Sequence, residues 1–303
     1  MTALFLIASL ALSATNAAAR DVGSPTFVAE APQAAAKVAP LARDTRGRPT
    51  IDAQINGRGP FSMVVDTAAQ TSLLTPDLAR EVDLPVVGEM ELGGVSGHQQ
   101  APIYGVDRFA TGLFDVATVG VVALPNVGVT DARGVIGMEH FSQSRILFDN
   151  TAGQIAVTPS GEGSEGYVAV AGQLNASGLV EVPVEIDGVA FTALIDTGAA
   201  VSVASSEALK ALGWATTDPR LSPGGQIRGA TDHQATVLIG KVGTISLGPV
   251  NFRDVPIVFP DPGGSDDTQT GRPSLILGSD LLNGLDAFAL DFGKARMEVR
   301  VPR

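Results

Sequence analysis

The stretch Leu194-Ile195-Asp196-Thr197-Gly198-Ala199 decides how this chain is interpreted. Two apolar residues lead into an aspartate, which a small hydroxyl residue and a glycine follow. A carboxylate placed directly after a buried apolar strand costs free energy unless it is hydrogen-bonded or takes part in chemistry. The glycine lets the backbone turn sharply and come close to that carboxylate. Taken alone, Asp-Thr-Gly is also ordinary turn chemistry after a strand, so one copy does not define a site.

A second copy of the pattern, Met63-Val64-Val65-Asp66-Thr67-Ala68-Ala69, begins in the first half of the chain. Its aspartate lies 130 positions earlier (196 − 66). Two aspartates in matched settings, one in each half, are what a carboxylate pair that shares a proton requires. The alternative is a pair of turn aspartates without chemistry. The repeat therefore matters more than either copy alone.

The surroundings of the two aspartates repeat in the same order, with Asn-Gly or Asp-Gly predicting a tight hairpin before each. Each half presents a strand, a turn and a returning strand that ends at the aspartate. A short helix, an apolar pair followed by glycine, and a final strand come afterwards. The helix is predicted to be capped at its start by Thr75 in the first half and by Ser205-Ser206 in the second. These segments are Ile51 to Ile55, Asn56-Gly57, Phe61 to Val65, Thr75-Pro76-Asp77, Val135-Ile136-Gly137 and Arg145 to Asp149 in the first half, and Val182 to Ile186, Asp187-Gly188, Phe191 to Ile195, Ser205-Ser206-Glu207, Ile276-Leu277-Gly278 and Ala287 to Asp291 in the second.

On these residues the chain resembles the aspartic proteases, and more closely the retropepsin-like ones, with two lobes in one chain. The resemblance starts near Pro49 and implies an all-β fold of two pseudo-symmetric retropepsin/pepsin-like acid-protease β-barrel lobes with a cleft between them. It implies an aspartic-type endopeptidase without a cofactor, in which Asp66 and Asp196 activate a water against a peptide or protein substrate. It also implies that Thr67 and Thr197 hydrogen-bond across the lobes, although both are also ordinary strand and turn residues.

One support position departs from the family, which usually has glycine where this chain has Ala68; Gly198 keeps the family residue. Either the first lobe accommodates the methyl group with a slightly shifted loop, or the protein is a non-catalytic clamp that holds an extended peptide by strand addition. The retained aspartate favours the first interpretation, because a buried charge is expensive to keep without purpose.

The resemblance also implies a flap in each half, at two similar segments that follow the helices. Gly97 and His98 lie in the first, and Asp232 and His233 lie in the matching second segment. The two histidines could contact substrate, or they could be solvated hairpin residues. With His140 they are the three histidines of the chain, and none has the spacing of a metal site, so no metal is expected.

The organisation predicted from composition is two lobes built from short strands, since 45% of the 303 residues are hydrophobic and 35 Gly and 19 Pro supply many turns. We assign residues 1–19 to a signal peptide, 20–48 to an N-terminal tether or the loose start of the first lobe, 49–158 to the N-terminal lobe, 159–166 to a linker and 167–303 to the C-terminal lobe. Since each half carries its own aspartate, a monomer is expected.

The formal net charge of −12 argues against a nucleic-acid partner and against an anionic membrane surface. Zero cysteines exclude disulfides and thiol catalysis. The apolar run Leu4 to Leu12 with Ala17-Ala18-Ala19 after it is typical of a secretory signal, which predicts a periplasmic or secreted protein. The uncharged start leaves an uncleaved anchor open, but the run is too short to span a bilayer comfortably, so no stable membrane anchor is expected.

Overall fold

The computed structural model describes residues 36–94, 97–123, 131–161, 163–228, 234–260 and 272–301, apart from the side chains of 91–99 and 227–235. Strands make up 57% of the structure and helix is almost absent. The elements of the first half are β1 (Lys37–Pro40), β2 (Ala42–Arg43), β3 (Pro49–Ile55), β4 (Arg58–Val65), β5 (Leu73–Leu74), α1 (Pro76–Glu81), β6 (Val86–Gly94), β7 (Gly97–Thr111), β8 (Asp115–Ala123), β9 (Gly134–Ile136), β10 (Ser144–Asp149) and β11 (Gln154–Pro159).

The second half repeats this order with small changes in length. Its elements are β12 (Tyr167–Ala171), β13 (Gln173–Leu174), β14 (Val180–Ile186), β15 (Val189–Ile195), β16 (Val203–Ala204), α2 (Glu207–Ala211), β17 (Leu221–Arg228), β18 (Gln234–Leu247), β19 (Val250–Pro260), β20 (Ser274–Leu277), α3 (Ser279–Leu282), β21 (Ala287–Asp291) and β22 (Arg296–Arg300).

Each half closes a barrel of six strands, which confirms the all-β fold of two pseudo-symmetric lobes. The first ring runs β3-β4-β9-β5-β8-β7 and closes where β7 pairs with β3. The second runs β14-β15-β20-β16-β19-β18 and closes where β18 pairs with β14. Closure leaves few free strand edges and encloses an apolar interior.

A third sheet of six strands joins the halves, in the order β1-β11-β10-β21-β22-β12. At its centre β10 of the first half pairs antiparallel with β21 of the second, and Phe148 stacks on Phe288 with ring centroids 4.8 Å apart. A buried ion pair, Arg145 Nη2 to Glu298 Oε2 at 2.8 Å, crosses the same sheet. The strands 145–149 and 287–291 predicted from the sequence therefore pair with each other across the boundary between the lobes.

The predicted hairpins form at Asn56-Gly57 and Asp187-Gly188, where all four residues have positive φ (51°, 75°, 49° and 80°). Two successive positive φ values define the turn whose twist matches that of the flanking strands, and Asn, Asp and Gly tolerate them. The strands that follow run directly into the two aspartates. Each turn therefore fixes the register of the strand that ends at one aspartate.

The two short helices predicted after the aspartates are present, but only one is capped as expected. Thr75 Oγ1 accepts the N–H of Leu78 at 3.2 Å, with proline in the first turn. The expected cap at Ser205-Ser206 is wrong, because Ser206 is helical and makes no capping bond. Ser205 Oγ instead accepts the N–H of Ser274 from the adjacent β20 at 3.1 Å, a sheet contact that local sequence cannot reveal.

The tether predicted for residues 20–48 ends in strand structure. Residues 37–40 form β1, which pairs with β11 of the first lobe, and 42–43 form β2, which pairs with β3. Strands of two to four residues are too short to produce a detectable periodicity, so the sequence alone predicts a loose segment here. Residues 1–35 lie outside the described structure.

Candidate active site

The two aspartates lie at the ends of β4 and β15, each held by a strand that runs beside it. The N–H of Asp66 donates to Ile136 O at 3.0 Å, and the N–H of Asp196 donates to Leu277 O at 3.1 Å. Gly137 and Gly278 follow these neighbouring strands, and the lack of a side chain lets the backbone cross close to the residues that follow each aspartate. A Cβ on Gly137 would lie 2.5 Å from the carbonyl carbon of Thr71, and the clash at the matching glycine of the second lobe is similar.

The structure brings Asp66 and Asp196 together, and their carboxyl groups hydrogen-bond to each other. We call residues 66–69 the first aspartate loop and residues 196–199 the second. Each loop also turns a backbone donor onto its own carboxyl group: Ala68 N–H to Asp66 Oδ1 at 2.9 Å and Ala199 N–H to Asp196 Oδ1 at 2.8 Å. As whole residues, both aspartates are partly buried.

Burial raises the pKa of both carboxyl groups above the ordinary range of aspartate, and it does so unequally. The pKa of Asp196 is raised further, first by burial and then by the charge of Asp66 beside it. The pKa of Asp66 is raised by burial, but backbone donors and the positive charge of Arg48 oppose that rise. Two carboxyl groups in one site cannot both ionise cheaply, so the pair favours a single negative charge.

Thr67 and Thr197 interlock the two loops beneath the carboxyl groups. The N–H of each donates to Oγ1 of the other at 3.1 Å. Each hydroxyl then donates across the boundary between the lobes, Thr67 to Ile195 O at 2.7 Å and Thr197 to Val65 O at 2.6 Å. Both threonines are buried, so these bonds fix the separation of the loops.

Gly198 packs against the carboxyl group of the opposite lobe. A Cβ built on it would lie 2.1 Å from Oδ2 of Asp66, which no non-bonded carbon can do. Neither Gly198 nor Ala68 has a positive φ, so backbone freedom is not what this position needs. Since Ala68 already carries a Cβ, the first loop cannot approach Asp196 as closely as Gly198 approaches Asp66.

The flap residues are only partly described. Gly97 and His98 belong to β7 and pair with Gly94 and Gly93 of β6 in a hairpin, but their side chains lie outside the description. Asp232 and His233 lie outside the described residues altogether. The hairpin that leads to them is present, with β17 and β18 paired up to Arg228 and Gln234.

The structure shows a second anchor for the second aspartate loop, which the sequence analysis did not predict. The N–H and hydroxyl of Ser202 donate to the two carboxylate oxygens of Asp280 at 3.0 and 2.7 Å. Ser202 Oγ accepts the N–H of Gly278 at 3.0 Å, which ties the end of β20 to this pair. In addition, Ser279 Oγ donates to the carbonyl of Thr197 at 2.8 Å.

The first loop has the same anchor in a shorter form. The N–H of Ser72 donates to Glu139 Oε1 at 2.8 Å, and Ser72 Oγ accepts the N–H of Gly137 at 3.1 Å. The two serines are separated by 130 positions, the same interval as the two aspartates, and an acidic residue stands two positions after the glycine in each half. That recurrence is the signal in the sequence that would have found both anchors.

Comparison with protein families agrees with this geometry. A family model described as aspartyl protease matches the chain at residues 51–140 and again at residues 182–281, and each match contains one of the paired aspartates. The chain therefore belongs to the retropepsin-like aspartyl protease family. No curated protein shows significant similarity to the chain. Within the described ranges, no group of three His, Asp or Glu residues is placed to hold a metal ion, and no helix is long and apolar enough to cross a membrane.

Proposed function

We propose that the protein is an aspartic endopeptidase in which Asp66 and Asp196 activate one water against a peptide bond. The observation that carries the proposal is the meeting of two hydrogen-bonded carboxyl groups, one from each lobe, on loops that the threonines interlock. Burial raises the pKa of both groups. Such a pair holds one proton and one negative charge over the pH range between its two ionisations, and this is the state that the chemistry needs.

The reaction follows from that charge state. The ionised carboxylate takes a proton from the water while the water oxygen bonds to the scissile carbonyl carbon. The protonated carboxyl group gives its proton to the carbonyl oxygen, which forms a neutral tetrahedral diol. When the carbon–nitrogen bond breaks, the carboxyl group that took the proton from water gives it to the leaving nitrogen. The other, now ionised, carboxylate takes a proton from a hydroxyl of the diol, which collapses to a carboxylic acid and leaves the pair in its starting state. The interlocked threonines keep the carboxyl groups in place through both steps.

The substrates in this proposal are extended segments of exported or membrane proteins, cut in the periplasm or outside the cell. The support for this location is the apolar run Leu4 to Leu12 with small residues after it. We further propose that the protein works as a monomer. Pairing of β10 with β21 joins both halves within one chain, so both aspartates are supplied without a partner.

The decisive experiment is cleavage of a mixed peptide library, read by mass spectrometry, with single Asp66→Asn and Asp196→Asn variants. Each variant keeps the shape of the side chain but cannot share the proton, so turnover falls by at least about 1,000-fold. Asp52→Asn is the matched control, because Asp52 is an exposed residue of β3 outside both aspartate loops, and its loss is expected to leave turnover unchanged. Near wild-type turnover in either dyad variant would rule out the two-carboxylate mechanism.

Among the residues that the structure describes, no observation favours the clamp alternative. Ala68 donates its N–H to Asp66 and adopts no left-handed conformation, so the methyl group does not break the first loop. The same library test separates the two functions. A wild-type protein that binds peptides without cutting them, and whose binding survives both asparagine substitutions, would be a clamp.

The pH dependence of cleavage is a second check on the mechanism. Ionisation of the first carboxyl group sets the acidic limb of the rate profile, and ionisation of the second sets the basic limb. Burial raises the pKa of both groups, and raises that of Asp196 further, so both limbs move upward from the ordinary range of aspartate. We expect a bell-shaped kcat/KM profile with its maximum at mildly acidic pH. Activity confined to strongly acidic buffers would contradict it.

A further inference from the structure

Two matched turns, one in each lobe, differ in charge. The first runs from Asp44 to Arg48 and the second from Asn175 to Leu179. In both, a side-chain oxygen of the first residue accepts the N–H groups of the third and fifth residues, at 3.0 and 2.8 Å in the first lobe. The corresponding distances in the second lobe are 2.9 and 3.1 Å. The fold of the turn is therefore the same, and only the first turn places an ion pair at its ends.

The ion pair is largely buried. Arg48 Nε lies 2.8 Å from Asp44 Oδ2, and their side chains are 17% and 1% exposed. Leu179, at the position of Arg48 in the second lobe, is a buried apolar residue that is 5% exposed. Burial lowers the screening by water, so a charge held here acts on its neighbours more strongly than one on the surface.

The charged turn points at the opposite aspartate loop. Arg48 Nη1 donates to the carbonyl of Gly198 at 3.3 Å. Gly198 is the residue whose backbone packs against the carboxyl group of Asp66. A second contact holds the turn in this position, since Asn283 Nδ2 donates to Gly47 O at 2.8 Å. The guanidinium is thus fixed beside the dyad by contacts from both lobes.

We propose that Arg48 is a positioning residue that fixes the negative charge of the dyad on Asp66 and leaves Asp196 protonated. The inference rests on the proposed function and assigns its roles: Asp66 takes the proton from water, and Asp196 gives one to the scissile carbonyl. The neutral second turn supplies no equivalent charge to Asp196, so otherwise matched lobes become unequal.

The electrostatics of the site support this assignment. Burial raises the pKa of Asp66, and the charge of Arg48 opposes the rise, whereas the charge of Asp66 adds to the rise in the pKa of Asp196. Two further carboxylates face Arg48: Asp44, its ion-pair partner, and Asp131, which accepts the N–H of Thr45 at 2.9 Å. Because Asp44 offsets part of the positive charge, the effect on Asp66 is moderate.

The test is a titration of the aspartate side-chain carboxyl carbons by NMR, which needs no enzymatic activity, together with the pH profile of kcat/KM. In the wild type Asp66 ionises at lower pH than Asp196. Arg48→Gln removes the charge and keeps an amide donor for Gly198 O. Its expected effect is an upward shift of the Asp66 ionisation and of the acidic limb by about half a pH unit to one unit. Arg48→Lys keeps a charge and restores most of the shift.

Arg46→Gln is the matched control, because Arg46 lies exposed in the same turn and its loss removes the same formal charge. It leaves both ionisations at their wild-type values. An Arg48→Gln variant that loses thermal stability or kcat with no upward shift of the Asp66 ionisation assigns Arg48 a purely structural role and overturns the proposal. So does a wild type in which Asp196 ionises first. A wild type without peptidase activity, but with the expected NMR shifts, overturns the proposed function and leaves the charge assignment standing.

Discussion

The two aspartate loops are built alike but approach the opposite carboxyl group unequally. Both end a barrel strand, both are interlocked by threonine, and both are anchored by a serine and an acidic residue. Yet Gly198 packs directly on Asp66, whereas Ala68 interposes a methyl group at the same position of the first loop. Repeated scaffolds supply the symmetry that a carboxyl pair needs, and a few unmatched side chains then make the two carboxyl groups chemically different.

The largest effect is expected from removing the close approach in the second loop. In Gly198→Ala the new Cβ would lie 2.1 Å from Asp66 Oδ2, so the loop or the carboxyl group must move. Displacement of a reacting group by about 1 Å costs on the order of 100-fold in rate, and we expect at least that loss in kcat/KM. Peptide cleavage kinetics measure it, with circular dichroism to show that the variant folds. Unchanged kinetics would mean that the two loops are interchangeable.

A smaller effect is expected on stability, and it separates the two aspartates. The pKa of Asp196 is raised well above the unfolded value of about 4, so ionising Asp196 lowers the free energy of unfolding. The penalty is absent below that pH, grows as pH rises through the raised value, and is fully present once Asp196 is ionised in the folded state. We expect Asp196→Asn to raise Tm at pH 7 by roughly 2–4 °C, as about 1 kcal/mol does in a protein of this size.

The gain in Tm should disappear below about pH 4, where both states are protonated. Asp66→Asn is the comparison variant, and its gain should be smaller because the rise in the pKa of Asp66 is opposed by Arg48. Calorimetry of the three proteins across this pH range measures both quantities. Equal gains in Tm in the two variants would contradict an electrostatic difference between the two aspartates.

The smallest effect is expected at the unmatched methyl group. Ala68 has an ordinary φ and its N–H already donates to Asp66, so Ala68→Gly removes only the Cβ. We expect kcat/KM to stay within about threefold of wild type or to rise, with a stability loss of roughly 0.5–1 kcal/mol from added backbone freedom. Peptide cleavage kinetics measure kcat/KM, and denaturant unfolding measures the loss of stability. An inactive wild type that gains activity only as the glycine variant would support the clamp instead.

Much of the fold could be predicted because its determinants are local and occur twice. Asn56-Gly57 and Asp187-Gly188 specify tight turns by their backbone preferences, and alternating apolar residues specify the strands that follow. Short or context-dependent features escaped prediction. The strand at 37–40 is four residues long, and the hydroxyl of Ser205 bonds to β20 rather than to its own helix. Their structure depends on partners that are remote in the sequence.

The sequence by itself determined that two aspartates stand in matched settings, and the family resemblance carried by those settings implies the barrel pair and the candidate dyad. Only the tertiary structure decided how those settings differ. Arg48 lies 150 positions from Gly198 in the chain, yet its guanidinium donates to that glycine's carbonyl. The burial that raises the pKa of both carboxyl groups is likewise a product of packing between the lobes. Electrostatic and steric effects depend on distance in space, and the linear sequence encodes that distance only through the completed fold.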